Sequence, residues 1–248
     1  MTLEQFFAEN REVAIAFSGG VDSAYLLYAA TRYAARVKAY YVSTAFQPEF
    51  ELADARRLAD ELGADMQVLH ADVLSNSAVT ANLPDRCYHC KNTLFRQILR
   101  AAENDGFPVL LDGTNASDDA GDRPGMRALR ELSVRSPLRE CGLTKAEIRR
   151  LSREAGLFTW DKPAYACLST RIRTGEEITL QKLKQTEKAE GFLFGLGFRN
   201  FRIRMVGNTA KLELREADLP LLLENREKII TELRKDYDSV LLNLEVRK

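Results

Sequence analysis

An excess of either charge is missing from this sequence: 36 lysines and arginines stand against 36 aspartates and glutamates in 248 residues. That balance excludes a bulk positive field that would draw the chain to nucleic acid, although it leaves room for a local basic patch. No apolar stretch approaches the length that crosses a bilayer. The opening segment MTLEQFFAENREV carries acids and no apolar run, so it is not expected to be a signal peptide, and the expected location is the cytoplasm. There is no internal repeat, no low-complexity segment and no glutaminase domain. Cysteine is scarce, at positions 87, 90, 141 and 167. In a chain that is neither short nor secreted, this speaks against a disulfide framework and for metal, cluster or redox chemistry. What remains is an ordinary globular composition, 45% hydrophobic and 29% charged, long enough for one large domain or two modest ones.

The stretch AIAFSGGVDSAYLL, residues 14–27, is the most informative. Val13 to Phe17 read as a buried strand. From Asp22 or Ser23 onward, Ala24, Leu26, Leu27, Ala30 and Tyr33 fall near a helical period. Between them Gly19 and Gly20 permit turns and close approaches that a side chain would block. The amides of Gly20, Val21, Asp22 and Ser23 would then face outward at a helix start, which suits phosphate. A plain turn capped by Ser18 or Asp22 is the simpler alternative. The full string SGGVDS weighs against it: Ser18 and Ser23 can donate to phosphate oxygens, and Asp22 can hold Mg2+ against them. The lysine of G-x-x-x-x-G-K-[ST] is missing, so the common P-loop does not apply. The string resembles the PP-loop ATP pyrophosphatases, which implies cleavage of ATP between its α and β phosphates and adenylation of a substrate oxygen.

The rest of the chain alternates strands and helices. VKAYYVST reads as a second strand and PEFELADARRLADELG as a helix with Leu52, Ala55, Leu58, Ala59 and Leu62 inward, closed by Gly63. DMQVLHAD and FPVLLDGTN read as further strands. The predicted fold is α/β, a Rossmann-like parallel sheet with helices on both faces (the HUP, or adenine nucleotide alpha hydrolase-like, class). Ligands of such sheets lie beyond the carboxyl ends of the strands. The loop at Ser18 and the segment DGTNASDD should therefore face one crevice. Gly113 and Thr114 then form a second wall of the nucleotide pocket, unless the segment is only a capped polar loop. Ser43 and Thr44, ending the second strand, would border adenine. A helix over 143–156 starts with a capping box of Thr144 and Glu147. An irregular crossing follows, then a small α+β domain: a helix from about Thr179, strands FRIRMV and AKLEL, a helix over about 217–236, and a last strand SVLLNLEV. The predicted domains are 1–172 and 173–248.

Cys87 and Cys90 form a Cys-x-x-Cys at an apparent helix start, where the dipole favours thiolate. Alone, the pair is as compatible with redox or zinc chemistry as with a cluster. His70 and His89 are the remaining zinc candidates; His89 is expected to face away from the pair and His70 and Trp160 to be structural. Cys141 reads as a core cysteine. Cys167 lies in the irregular KPAYACLSTRIRTG, beside Arg171 and Arg173, which would stabilise a thiolate. In FRIRMV, alternation puts Arg202 and Arg204 on one face, either solvated or poised for a phosphate. Arg123 and Arg127 are unranked candidates for the pyrophosphate or the substrate.

Six strings, AFSGGVDS, RCYHCK, DGTNASDDAGDRPGMRALRE, VRSPL, KPAYACLSTRI and FRIRMV, occur in order between residues 16 and 206. Together they resemble the LarE-type ATP-dependent sulfur transferases, which make the nickel-pincer nucleotide cofactor. The resemblance implies adenylation of a carboxylate of pyridinium-3,5-biscarboxylic acid mononucleotide, followed by displacement of AMP by sulfur to give a thioacid. It implies Cys167 as the sulfur donor, and Arg171, Arg202 and Arg204 as substrate ligands. It leaves two routes: a 4Fe-4S cluster on Cys87, Cys90 and Cys167 carrying sulfide from a sulfide source or sulfur carrier, which is the preferred expectation, or surrender of the Cys167 sulfur itself, leaving dehydroalanine. The resemblance implies a homo-oligomer too, with a hexamer as the candidate form. The rival readings are a PP-loop tRNA thiolase, a glutamine-dependent amidating enzyme, and a non-catalytic nucleotide-binding or Fe–S protein.

Overall fold

The computed structural model describes residues 1–118 and 124–247. In chain order its first elements are α1 (Leu3–Glu9), β1 (Glu12–Ala16), α2 (Val21–Tyr33), β2 (Arg36–Ser43), α3 (Glu49–Glu61), β3 (Asp65–His70), α4 (Ser77–Thr80), α5 (Arg86–Asn104) and β4 (Val109–Leu111). They are followed by α6 (Pro124–Glu131), α7 (Pro137–Glu140), α8 (Lys145–Glu154) and α9 (Leu180–Gly195). The last are β5 (Arg202–Val206), β6 (Thr209–Glu213), α10 (Leu219–Glu224), α11 (Arg226–Leu233) and β7 (Ser239–Leu242). None of the described helices is long and apolar enough to cross a membrane.

The chain divides into two units, 1–73 with 85–165, and 74–84 with 166–248. The division thus falls at 165/166 instead of 172/173, and a short excursion from the first half joins the second unit. Asn82 accounts for that excursion. Its side-chain amide donates to the carbonyls of Arg173 (2.9 Å) and Glu176 (3.0 Å), and its own carbonyl accepts the Gly175 N–H. Asn82 is buried in the left-handed region at φ 54°. Nothing in local periodicity signals such a long-range anchor.

The first unit is a parallel sheet in the order β3-β2-β1-β4. Strand alternation sorts its side chains to two faces. Val13, Ile15, Ala39, Tyr41 and Leu111 meet residues of α1, α2, α3, α7 and α8 in one core. Ala14, Tyr40, Val42 and Leu110 meet Ile98 and Ala102 of α5 in the other. Burial on both faces is why these strands read as apolar runs, and it makes the unit the Rossmann-like PP-loop fold. The chain leaves β1 toward β2 and returns to β4 on the other side of β1, so the strand order reverses between β1 and β4 while all four strands stay parallel. The loops after those two strands flank that switch point.

The expected elements largely occur. Gly63 ends α3 with φ 60°, and α8 carries the Thr144–Glu147 capping box. A second capping box, Thr2 with Gln5, starts the unanticipated α1.

The second unit has a three-stranded sheet, β5-β6 antiparallel and β6-β7 parallel. The single helix expected over 217–236 is two, α10 and α11, separated at Asn225, whose side-chain amide bonds back to the Leu221 carbonyl at 3.0 Å. The last strand stops at Leu242, because its partner β6 ends one residue beyond their last pair, Leu212 with Leu242.

Candidate active site

The loop after β1 is set by two close approaches. Gly19 has φ 70°, and a Cβ there would meet Ala55 Cβ of α3 at 3.2 Å. Gly113, in the loop after β4, approaches so closely that a Cβ would stand 2.9 Å from the Ser23 nitrogen. A side chain at either position would push the loops off the crevice. The helix cap is Gly20, without any side-chain cap bond, so neither Ser18 nor Asp22 closes the α2 N-terminus. An uncapped N-terminus with its dipole aimed at a cleft is an anion site in form. Ser18 and Ser23 brace the loop from within: their hydroxyls lie 3.1 Å apart, and Ser23 Oγ donates to the Gly20 carbonyl at 3.1 Å.

These loops line a cleft of about 300 Å3. Ser18, Gly20, Asp22 and Ser23 form one wall, Asp112, Gly113, Thr114 and Asp118 the other, with Lys91 and Phe95 of α5 beside them. The structure thus brings the two predicted loops together. The Thr114 hydroxyl, however, donates to Asp112 Oδ2 at 2.5 Å, and Ser136 Oγ donates to Asp112 Oδ1 at 2.6 Å. Thr114 therefore helps to hold the buried Asp112 in the wall. Val21, the first residue of α2, has a buried side chain and offers only its backbone.

Asp22 is the most informative charge. Lys145 Nζ lies 2.5 Å from its Oδ2, and its Oδ1 is buried with no hydrogen-bond partner. Burial pushes the Asp22 carboxyl above its usual range, with Lys145 pulling the other way. A buried carboxylate oxygen left unpaired costs free energy, and a hard cation at a phosphate site would satisfy it. Asp22 thus fits Mg2+. Three lysines from elsewhere in the chain reach this region: Lys145 of α8 pairs with Asp22, Lys91 of α5 lines the cleft, and Lys162 lies 2.7 Å from Asp54 Oδ2 and 3.4 Å from the Gly19 carbonyl. Sequence reasoning missed all three. Lys145, directly after a capping residue, carried the one local signal.

A separate cleft of about 400 Å3 opens at the ends of β2 and β3 between Ser43, Thr44, Ala45, His70, Ala71 and Asp72. His70, expected to be structural, is in its wall. The Thr44 hydroxyl is committed to Gln47 at 2.6 Å. Trp160 is outside both clefts and packs under the Arg153 guanidinium. Arg127 stacks on Tyr88 at 4.0 Å and faces Glu131. Arg123 lies outside the described residues.

Cys87 and Cys90 sit on the first turns of α5, one exposed and one half-buried, with an Arg86 nitrogen 3.7 Å from the Cys87 sulfur. His89 bonds Asp85 at 3.1 Å, not the pair. Cys141 packs on the apolar core, and burial pushes its thiol up. Among the described residues no group of three or more His, Cys, Asp or Glu is arranged to hold a metal ion. Two thiols one turn apart suit an iron–sulfur cluster chemically.

In the second unit Cys167 caps a 3-10 turn, Leu168–Arg171, and its sulfur lies 3.0 Å from Ser169 Oγ. Arg171, expected at the substrate, is instead completely buried in an ion pair with Glu190 at 2.9 Å, with no surface to offer a ligand. Arg202 is also nearly covered, at 5% exposure, and donates to the Phe201 carbonyl at 2.6 Å. Arg204 keeps about a third of its side chain exposed, pairs with Glu213 at 3.2 Å and donates to the Thr170 carbonyl. Ile203 and Met205 fill the buried face of β5, as alternation requires.

Residues 4–119 match the asparagine synthase family model. An uncharacterized protein of Synechocystis sp. is 39% identical over 86% of this chain and 80% of its own length. The pyridinium-3,5-bisthiocarboxylic acid mononucleotide synthase of Lactiplantibacillus plantarum is 33% identical over 94% of this chain and 85% of its own. This chain belongs to the LarE-type ATP-dependent sulfur transferases. A tRNA-specific 2-thiouridylase of Thermotoga petrophila is more distant, 25% identical over 59% of this chain and 52% of its own length. The LarE-type likeness runs through both units, whereas the thiouridylase likeness covers little more than half of the chain.

Proposed function

We propose that this enzyme adenylates a carboxylate of pyridinium-3,5-biscarboxylic acid mononucleotide with ATP and converts it to a thioacid in nickel-pincer cofactor synthesis. The observation that carries the reading is the uncapped α2 N-terminus facing the Asp22 cleft, in a chain that matches the Lactiplantibacillus synthase over 94% of its length.

Adenylation is a positioning problem with a charge to disperse. The amides of Val21, Asp22 and Ser23 and the lysines at 91, 145 and 162 would hold the β and γ phosphates. Asp22 would hold Mg2+, which when bound neutralises phosphate charge and polarises the phosphoryl oxygens. A substrate carboxylate oxygen then attacks the α phosphorus, the bond to the bridging oxygen breaks, and pyrophosphate leaves. Ser43 and His70 would border adenine. Arg204, with donors still exposed, and Arg202 beside it would take the mononucleotide phosphate.

The acyl-adenylate now has AMP as its leaving group, and sulfur must arrive as an anion to displace it. We assign that sulfur to Cys167. In the sacrificial route the thiolate forms a thioester, AMP leaves, and loss of the Cα proton breaks the Cβ–S bond to give thioacid and dehydroalanine. In the other route, the one the sequence favours, Cys87, Cys90 and Cys167 would hold a 4Fe-4S cluster, which would supply a terminal sulfide. An assembly of several copies in the cytoplasm completes the proposal.

The experiment is pyrophosphate release from Mg-ATP with and without the pyridinium acid. Release that depends on the acid supports the enzyme. Release that the acid does not stimulate contradicts it, and stimulation by tRNA instead favours a thiolase.

A further inference from the structure

The fully buried Arg171 has more partners than an ion pair needs. Its Nε and one terminal nitrogen reach the two Glu190 oxygens at 2.9 and 3.0 Å, a bidentate fork. The other terminal nitrogen donates to the Ala166 carbonyl at 2.7 Å, the Cys167 carbonyl at 3.4 Å and Thr170 Oγ1 at 2.9 Å. Glu190, on α9 and 1% exposed, also accepts the Ile203 N–H at 3.0 Å. Ile203 lies in β5 between Arg202 and Arg204. An unbroken path of hydrogen bonds therefore runs from the two carbonyls flanking the Cys167 α-carbon to the strand that carries both arginines.

Stability is a weak reason for such a pair. Desolvating two charges is costly, and well-packed apolar side chains of similar size often serve as well. Apolar side chains cannot, however, donate to the Ala166 carbonyl or accept the Ile203 amide. The need is local: Cys167 sits in an irregular segment at φ −53°, ψ 149°, with no sheet ladder to fix it. A sulfur must meet an acyl carbon at about 3–3.5 Å and in line, and an error near 1 Å costs on the order of a hundredfold in rate.

We propose that Arg171 and Glu190 are a positioning pair, which sets the distance between the Cys167 sulfur and the phosphate-binding face of β5. The inference rests on the proposed roles of Cys167, Arg202 and Arg204. It replaces substrate contact by Arg171 with action through the backbone.

The test is the double variant Arg171→Met/Glu190→Leu, chosen because removing both charges avoids an orphaned ion. Three quantities are measured: substrate-dependent pyrophosphate release at saturating acid, single-turnover thioacid formation, and amide exchange at Ile203 and residues 166–171. Pyrophosphate release is expected within about twofold of wild type, and thioacid formation slower by about thirtyfold or more. The Ile203 amide should exchange faster while the α9 core amides do not. A second variant, Glu190→Gln, keeps an acceptor for Ile203 and should recover part of the thioacid rate. If the double variant fails to fold, Glu190→Gln and Arg171→Lys carry the same comparison. A folded variant with wild-type thioacid rate overturns the inference, and so does a uniform loss of both steps. If wild-type protein itself makes no thioacid, the proposed function has failed, and unchanged exchange at Ile203 would then overturn the positioning pair independently.

Discussion

Lys145 Nζ holds Asp22 Oδ2 at 2.5 Å, while the other Asp22 oxygen is buried without a partner. One carboxylate thus binds a cation on one side and is unsatisfied on the other. A hard cation beside a phosphate would satisfy that oxygen. Lys145→Met should lower pyrophosphate release by about tenfold to a hundredfold, mainly by raising the ATP KM. Titrating ATP at fixed Mg2+ checks this, and an unchanged KM would remove Lys145 from the phosphate site.

Asp22 also predicts a pH dependence of stability. Its native carboxyl is raised above 3.8, chiefly by burial. A group with a raised native value binds its proton more tightly folded than unfolded. Its contribution is therefore full below about 3.8 and lost as pH rises through the native value. Asp22→Asn should accordingly raise Tm at pH 7, with the gain shrinking as the pH falls through that range. The same variant should lose pyrophosphate release by about a hundredfold or more. Thermal melts across the pH range, beside the activity assay, check both halves.

Gly113→Ala places a Cβ where the Ser23 amide nitrogen is 2.9 Å away. Backbone cannot yield as a flexible side chain can, so the loops after β1 and β4 must separate. A stability loss of about 1–3 kcal/mol is expected, together with weaker ATP binding. Calorimetry with ATP in excess checks it. Normal ATP affinity would mean that the two loops do not share a nucleotide.

Arg204 is a cleaner probe of the substrate phosphate than Arg202. Arg204→Ala should raise the KM for the mononucleotide about tenfold or more while sparing ATP binding. Arg202→Ala shares that direction, but its near-complete burial adds a folding cost. Equal loss of ATP and mononucleotide binding would point to a folding defect in either case.

Cys87→Ala and Cys90→Ala separate the two sulfur routes. Variants that bind no iron and still transfer sulfur at the wild-type rate exclude the cluster; loss of both iron and repeated turnover supports it. Cys141→Ala, at a core position, should leave sulfur transfer intact and lower stability only.

Much of the fold was legible because it follows from periodicity and local chemistry. Val13, Ile15 and their neighbours announce a strand buried on both faces, and Thr144 with Glu147 announces a helix start. SGGVDS marked the glycine loop at the cleft, because glycine conformation and polar side chains act there within six residues. Residues whose role depends on distant partners were not legible. Lys162 reaches Gly19 and Asp54 across more than a hundred residues of chain. Asn82 gathers a loop near Arg173, and Arg171, which local sequence placed beside the Cys167 thiolate and the family resemblance at the substrate, is claimed by Glu190 on another helix. A charge shows its residue type in the sequence; whether it is solvated, paired or buried is decided by tertiary contacts.

The most direct measurement is anaerobic incubation of the purified chain with Mg-ATP and pyridinium-3,5-biscarboxylic acid mononucleotide, with and without prior iron and sulfide reconstitution. Product and intact protein are then weighed by mass spectrometry. The account predicts thioacid with equivalent AMP and pyrophosphate. It also predicts either repeated turnover on sulfide with about four irons per chain, or one sulfur per chain and dehydroalanine at Cys167. AMP and pyrophosphate without any thioacid, or thioacid from a Cys167→Ala chain at the wild-type rate, would contradict it.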